Sequence, residues 1–101
     1  MPEMHFLVRW PDGTRETCYS PSRVVKDYLA EGETYALRDF LDLSRAALSA
    51  ASERVRQKYG VPCSRAHNQI ARLQAAGRAF ASEPAARVTV ESLQDGDSFQ
   101  G

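Results

Sequence analysis

The sequence predicts an α+β fold: a small three-stranded sheet, antiparallel or mixed, with three helices packed on one face in the order β-β-α-α-α-β. Apolar side chains alternate from Met4 to Trp10 and again from Arg87 to Glu91, and they recur at helical spacing from Arg38 to Tyr59. With 101 residues, of which 43% are hydrophobic and 26% charged, the chain has the size and composition of one globular domain. We expect that domain to span residues 1–94, with a flexible tail at 95–101.

The first two strands should form a hairpin. Proline at position 11 and glycine at position 13 favour the turn between them. Pairing of Trp10 with Thr14 would set the register of the hairpin. In that register Phe6 lies opposite Cys18, and His5 lies opposite Tyr19. Cys18 should therefore point into the core.

A short helix, capped by Ser20 or Ser22, should follow the hairpin, and residues 35–37 should form an extended connector. The next helix is predicted over 38–59, and Gly60 should end it because glycine readily adopts the left-handed conformation of a helix terminus.

Ser64 is a plausible cap for a third helix. The apolar positions of that helix predict a buried stripe made of Ala66, Ile70, Leu73, Ala76 and Phe80. A last strand at 87–91 would complete the sheet.

The charges are unevenly distributed along a chain whose net charge is zero. Residues 1–43 carry a net charge of −3, residues 44–87 carry +6, and residues 88–101 carry −3. The middle segment is the place to expect an anionic partner. The alternative is a solvated, arginine-rich helix surface that the acidic ends of the chain balance.

The composition also indicates where the protein works. No apolar run approaches the ~20 residues that cross a bilayer, and the amino terminus lacks the pattern of a signal peptide. We therefore expect a cytoplasmic protein with no membrane contact, whose two cysteines are free thiols because the cytosol is reducing.

Four sequence blocks resemble those of a family of small bacterial proteins known as nitrogen starvation response proteins; the blocks are residues 9–13, 18–29, 35–40 and 51–66. The resemblance covers about residues 1–80. It implies a gene cluster with a nitrilase, a radical S-adenosylmethionine enzyme, an acetyltransferase-like protein and a flavin-dependent oxidoreductase. The implied role is accessory or regulatory in a nitrogen-related pathway, with a nitrile- or cyanide-related pathway as the narrower interpretation. The resemblance assigns no catalytic residue.

The two cysteines are the only leads to covalent chemistry. Cys63 lies at a helix start, where the helix dipole favours a thiolate, and His67 follows one turn later. A thiol enzyme or redox sensor that uses Cys63 is therefore an alternative function, whereas two inert buried thiols are the simpler interpretation. His5, Cys18, Cys63 and His67 lack the spacing of metal ligands, so we expect neither a metal site nor a cofactor.

The segment 44–80 also has the outline of a helix-turn-helix. Its second helix would offer these side chains to a DNA groove: Ser64, Arg65, His67, Asn68 and Arg72. The first helix is longer than such modules usually carry, and its positive charge is partly offset. A DNA-binding regulator that uses this segment is therefore a further alternative function, although nucleic acid is not the expected partner.

The leading interpretation is a non-enzymatic accessory protein that contacts partner proteins of its pathway, and a homodimer is a candidate assembly. A small sheet with helices on one face leaves the other face open. Two surfaces are candidates for these contacts. The sheet surface comprises Leu7, Arg9, Arg15, Thr17 and Tyr19, and the basic helix surface comprises Arg54, Arg56, Lys58, Arg65 and Arg72.

Overall fold

The computed structural model describes residues 3–61 and 63–95. Its elements are β1 (Met4–Arg9), β2 (Arg15–Ser20), a 3₁₀ helix (Arg23–Asp27), β3 (Thr34–Ala36), α1 (Leu37–Tyr59), α2 (Ser64–Arg78) and β4 (Arg87–Asp95). Within the described residues the strands form one antiparallel sheet in the order β2-β1-β4-β3. The α+β class is confirmed.

The prediction of three strands and three helices is wrong in two places. The expected connector at 35–37 contributes to β3, which pairs with residues 87–89 of β4. The expected first helix is only a single stretch of 3₁₀ helix at 23–27. β4 runs to Asp95, so that residue belongs to the sheet, and the rest of the predicted tail, 96–101, lies outside the described residues.

The predicted hairpin register is confirmed. Phe6 pairs with Cys18, and His5 pairs with Tyr19. The backbone amide of Trp10 donates to the carbonyl oxygen of Thr14 at 2.8 Å and closes the turn.

The core lies between the inner face of the sheet and the two helices. Its fully buried large side chains come from every layer, and they include Met4, Phe6, Val8, Leu29, Phe40, Leu48, Leu73, Val88 and Val90. Trp10 joins the layers, because its ring meets Phe40 edge-on at 5.8 Å between centroids and stacks on Phe80 at 6.2 Å. Cys18 is buried in the core, as the register predicts.

The long helix agrees with its prediction to within one residue. Gly60 ends α1 at φ +88°, and its amide donates to the carbonyl oxygen of Arg56 at 2.7 Å. No helix among residues 3–61 and 63–95 is long and apolar enough to span a membrane.

The start of α2 differs from its prediction. Cys63 occupies the cap position instead of Ser64, and no side chain of the cap residue bonds to the helix. The Cys63 amide donates instead to the hydroxyl of Ser52 on α1, at 3.1 Å. The predicted stripe is confirmed in part: Ala66 and Leu73 are buried, and the other members are half-buried, including Phe80, which lies beyond the helix end.

A bulge in β4 shapes the uncovered face of the sheet. Leu7 pairs with Ser92 and Val8 with Val90, so Glu91 has no partner residue on β1. The carboxylate of Glu91 instead forms ion pairs with Arg9 and, at 3.0 Å, with Arg15.

Candidate interaction surface

The residues of the predicted sheet surface do share the face that the helices leave open. Arg9, Arg15 and Thr17 are exposed, whereas Leu7 and Tyr19 are half-buried. Both arginines of this face are engaged by Glu91. The single negative charge of Glu91 therefore offsets one of the two positive charges on this face.

The residues of the predicted basic helix surface are all exposed, but they divide into two groups. On α1, Arg56 pairs with Glu53 one turn away, and the ammonium group of Lys58 lies 5.7 Å from the ring of Tyr59. These α1 contacts stay within their own helix. The two arginines of α2 behave differently, because both contact β2.

These α2 arginines form part of a shallow cavity of about 280 Å³ between α2 and the edge strand β2. Its lining comprises Tyr19, Arg65, Asn68, Gln69 and Arg72. The four helical positions follow the spacing i, i+3, i+4, i+7, which places them on one face of α2. We refer to these five residues as the Tyr19 site.

An arginine–tyrosine pair defines one side of the Tyr19 site. The guanidinium carbon of Arg65 lies 3.8 Å from the centroid of the Tyr19 ring, which is cation–π geometry. The ring of His5 meets Tyr19 edge-on, with 6.0 Å between centroids. Partial burial raises the pKa of the Tyr19 phenol, an effect that the nearby positive charge of Arg65 opposes.

Gln69 closes the sheet edge beside this pair. β2 is an edge strand, so on its outer side no strand can accept a hydrogen bond from the Tyr19 amide. The side-chain oxygen of Gln69 accepts this hydrogen bond at 3.0 Å. The side-chain nitrogen of Gln69 is buried and has no hydrogen-bond partner among the described residues. The site therefore contains an unused donor.

A second link ties α2 to β2. Glu16 forms an ion pair with Nε of Arg72 through one carboxylate oxygen and accepts a hydrogen bond from the Trp10 indole through the other, at 3.2 Å. The hydrogen bond to Glu16 raises the pKa of Arg72. Arg72 is thus held at the sheet edge although its side chain is 70% exposed.

The predicted thiol candidates lie at the start of α2. Cys63 is half-buried and His67 is exposed. Nε2 of His67 lies 3.3 Å from the hydroxyl oxygen of Ser52. The same oxygen accepts a hydrogen bond from the Cys63 amide. A catalytic pairing of Cys63 with His67 stays a prediction.

Cys18 lies in a different environment. Both cysteines are free thiols, and burial raises the pKa of Cys18 far above that of an exposed thiol. Across residues 3–61 and 63–95 no group of three or more histidine, cysteine and acidic side chains is arranged to hold a metal ion.

The helix-turn-helix outline places its two predicted arginine readers in contact with the sheet. Arg65 lies over Tyr19 and Arg72 pairs with Glu16, so the face of α2 that would enter a DNA groove is partly occupied by β2. This geometry disfavours groove reading by these two side chains.

The sequence analysis missed Gln69 and Glu16. The helical spacing that relates Gln69 to Arg65 and Arg72 was present in the sequence. The sequence did not show that these residues contact β2, because the contact joins positions about 50 residues apart, such as Tyr19 and Gln69.

Comparison with known proteins gives one family. The family model described as nitrogen starvation-induced protein NitG matches residues 5–93, which is most of the chain. No curated protein and no solved structure matches. The family resemblance noted in the sequence is thereby confirmed.

Proposed function

Because the chain belongs to the family of nitrogen starvation-induced proteins NitG, we propose that it is an accessory or regulatory protein that acts by binding a partner protein and not by catalysis. The proposed partner is an enzyme of the nitrilase-containing gene cluster that the resemblance implies. The proposal places both proteins in the cytoplasm.

The Tyr19 site is the observation that carries this proposal. Tyrosine and arginine are enriched at the centres of protein interfaces, where a large ring and a planar multiple donor combine apolar area with directional hydrogen bonds. Here Arg65 is already stacked on Tyr19, so less side-chain entropy would be lost on binding. The site is also shallow, as suits a protein contact.

Tyr19 joins the two predicted surfaces. It belongs to the open sheet face and also lines the cavity under α2. A partner seated on Tyr19 would therefore contact α2 and could extend onto the face that carries Leu7, Arg9 and Arg15.

Affinity capture from nitrogen-starved cells tests the proposal. Tagged wild-type protein should enrich enzymes of the cluster, and the double variant Tyr19→Ala/Arg65→Ala should lose them. Arg45→Ala is the matched control, because Arg45 is an exposed arginine on α1 outside the site. Equal enrichment of the enzymes by all three proteins would exclude the Tyr19 site as the contact. Enrichment of promoter DNA in place of the enzymes, or of neither, would refute the proposal.

Self-association is the other contact that the open sheet face supports. Leu7 is a half-buried apolar side chain in the middle of this face, and a two-fold contact would cover it. Light scattering after size exclusion should give a dimer for the wild-type protein and a monomer for Leu7→Lys. A wild-type monomer at high protein concentration would exclude the homodimer.

A further inference from the structure

We infer that the Tyr19 site is a carboxylate-binding site that receives an acidic side chain of the partner. This inference rests on the proposed function, because it states the chemistry by which the partner is recognised.

Arg65 supplies the first donors. Its guanidinium lies against the Tyr19 ring, and a stacked guanidinium keeps its N–H groups in its own plane, directed past the edge of the ring. No carboxylate of the described residues forms an ion pair with Arg65, and the Glu3 carboxylate nearby is hydrogen-bonded to the phenol of Tyr19. A carboxylate can accept two parallel hydrogen bonds from such a group.

The remaining lining adds further donors. Arg72 uses Nε for Glu16, and its side chain is 70% exposed. The side-chain nitrogen of Gln69 is buried and has no hydrogen-bond partner within residues 3–61 and 63–95. Asn68 adds an exposed amide. The five lining residues include two cations and no carboxylate. Glu16 pairs with one of these cations, and the Glu3 carboxylate, which is hydrogen-bonded to the Tyr19 phenol, lies beside the site.

The size of the cavity selects the kind of anion. A volume of about 280 Å³ lies just below the ~300–1,000 Å³ of typical small-molecule pockets. It can admit one acidic side chain, whereas a DNA duplex is too wide to enter it. Arg65 and Arg72 are also separated by seven residues of helix, or about 10 Å, and are drawn toward β2, which does not provide the row of cations that phosphates of a duplex require.

Titration of the ¹⁵N-labelled full chain tests the inference. The probe is the end-blocked peptide Gly-Glu-Glu-Glu-Gly, and the reporters are the Tyr19 amide, the Arg65 Nε–H and the Gln69 side-chain amide. We expect saturable shifts at these groups and none with the glutamine version of the peptide. Arg65→Gln should weaken binding about tenfold or more. Arg54→Gln, which removes an exposed arginine of α1, should leave it unchanged.

Variants of Tyr19 distinguish the contribution of the ring contact with Arg65 from that of the Arg65 charge alone. Tyr19→Phe keeps the platform under Arg65 and should retain binding, whereas Tyr19→Leu should weaken it. Equal shifts with the glutamine peptide, equal losses in Arg54→Gln and Arg65→Gln, or tighter binding of inorganic phosphate or a DNA duplex would overturn the inference. If the acidic peptide fails to bind while capture of the cluster enzymes still requires Arg65, the inference fails and the proposed function stands.

Discussion

Replacement of Ser52 by alanine should loosen the start of α2. The Ser52 side chain is buried on α1, and its hydroxyl accepts the amide of Cys63 at 3.1 Å. The variant leaves this amide without a protein partner, and an unsatisfied buried donor costs about 1–3 kcal/mol. We expect a loss near the lower half of that range, about 1–2 kcal/mol, because Cys63 is only half-buried and water can reach its backbone.

Thermal unfolding followed by circular dichroism measures this loss. For a domain of this size, about 1 kcal/mol corresponds to a change in Tm of roughly 4–8 °C, so Ser52→Ala should lower Tm by roughly 5–15 °C. Ser49→Ala is the matched control: Ser49 is an exposed serine of the same helix, and alanine there improves helix propensity. An equal Tm for the two variants would refute the assignment of Ser52 as the residue that holds the α2 terminus.

Three further predictions concern the thiols and the contact between the helices. A thiol reagent should modify half-buried Cys63 quickly in the native protein and buried Cys18 only on unfolding; equal rates would contradict the assigned burial. Burial raises the pKa of Cys18, so the unfolded state loses the Cys18 thiol proton at a lower pH than the folded state does, and the free energy of unfolding should fall as pH rises above about 8.5. Urea unfolding at several pH values should show a shallower fall for Cys18→Val than for the wild type. The same pH dependence in both proteins would refute the role of Cys18. A Cβ at Gly77 would lie 2.7 Å from Cδ1 of Leu41. Gly77→Ala should therefore change the free energy of unfolding more favourably in a Leu41→Ala background than in the wild type. A double-mutant cycle with no coupling energy would refute this contact.

Local signals explain which parts of the fold could be predicted from the sequence. The hairpin register depends on an alternating strand and a proline–glycine turn, and α1 depends on an uninterrupted helical repeat that ends at Gly60. Both patterns lie within a single stretch of chain. The local pattern indicated extended backbone at 35–37. The pairing with β4 that makes three residues of this region a strand joins distant parts of the chain, so the sequence did not show it.

The candidate site shows the same division between local and distant information. Tyr19 and Arg65 were each predicted as surface residues, but in two separate surfaces. Their stacking depends on α2 lying along β2, and the contacts of Gln69 and Arg72 with that strand establish this placement. The predicted serine cap of α2 failed for a similar reason, since the hydroxyl that binds the Cys63 amide belongs to α1.

The protection of the sheet edge limits how a partner can bind. A partner strand could otherwise pair with the free edge of β2, but Gln69 already accepts the hydrogen bond of the Tyr19 amide, and Arg65 lies over the adjacent ring. Only the part of β2 before Tyr19 remains for such pairing, and β3 at the opposite edge is three residues long. Both stretches are short, and on the outer edge of β4 beyond β3 the Leu93 amide already donates to the Glu31 carboxylate. The partner recognition proposed above would therefore rely mainly on side chains, and the contacts along the β2 edge hold Arg65 and Arg72 beside Tyr19.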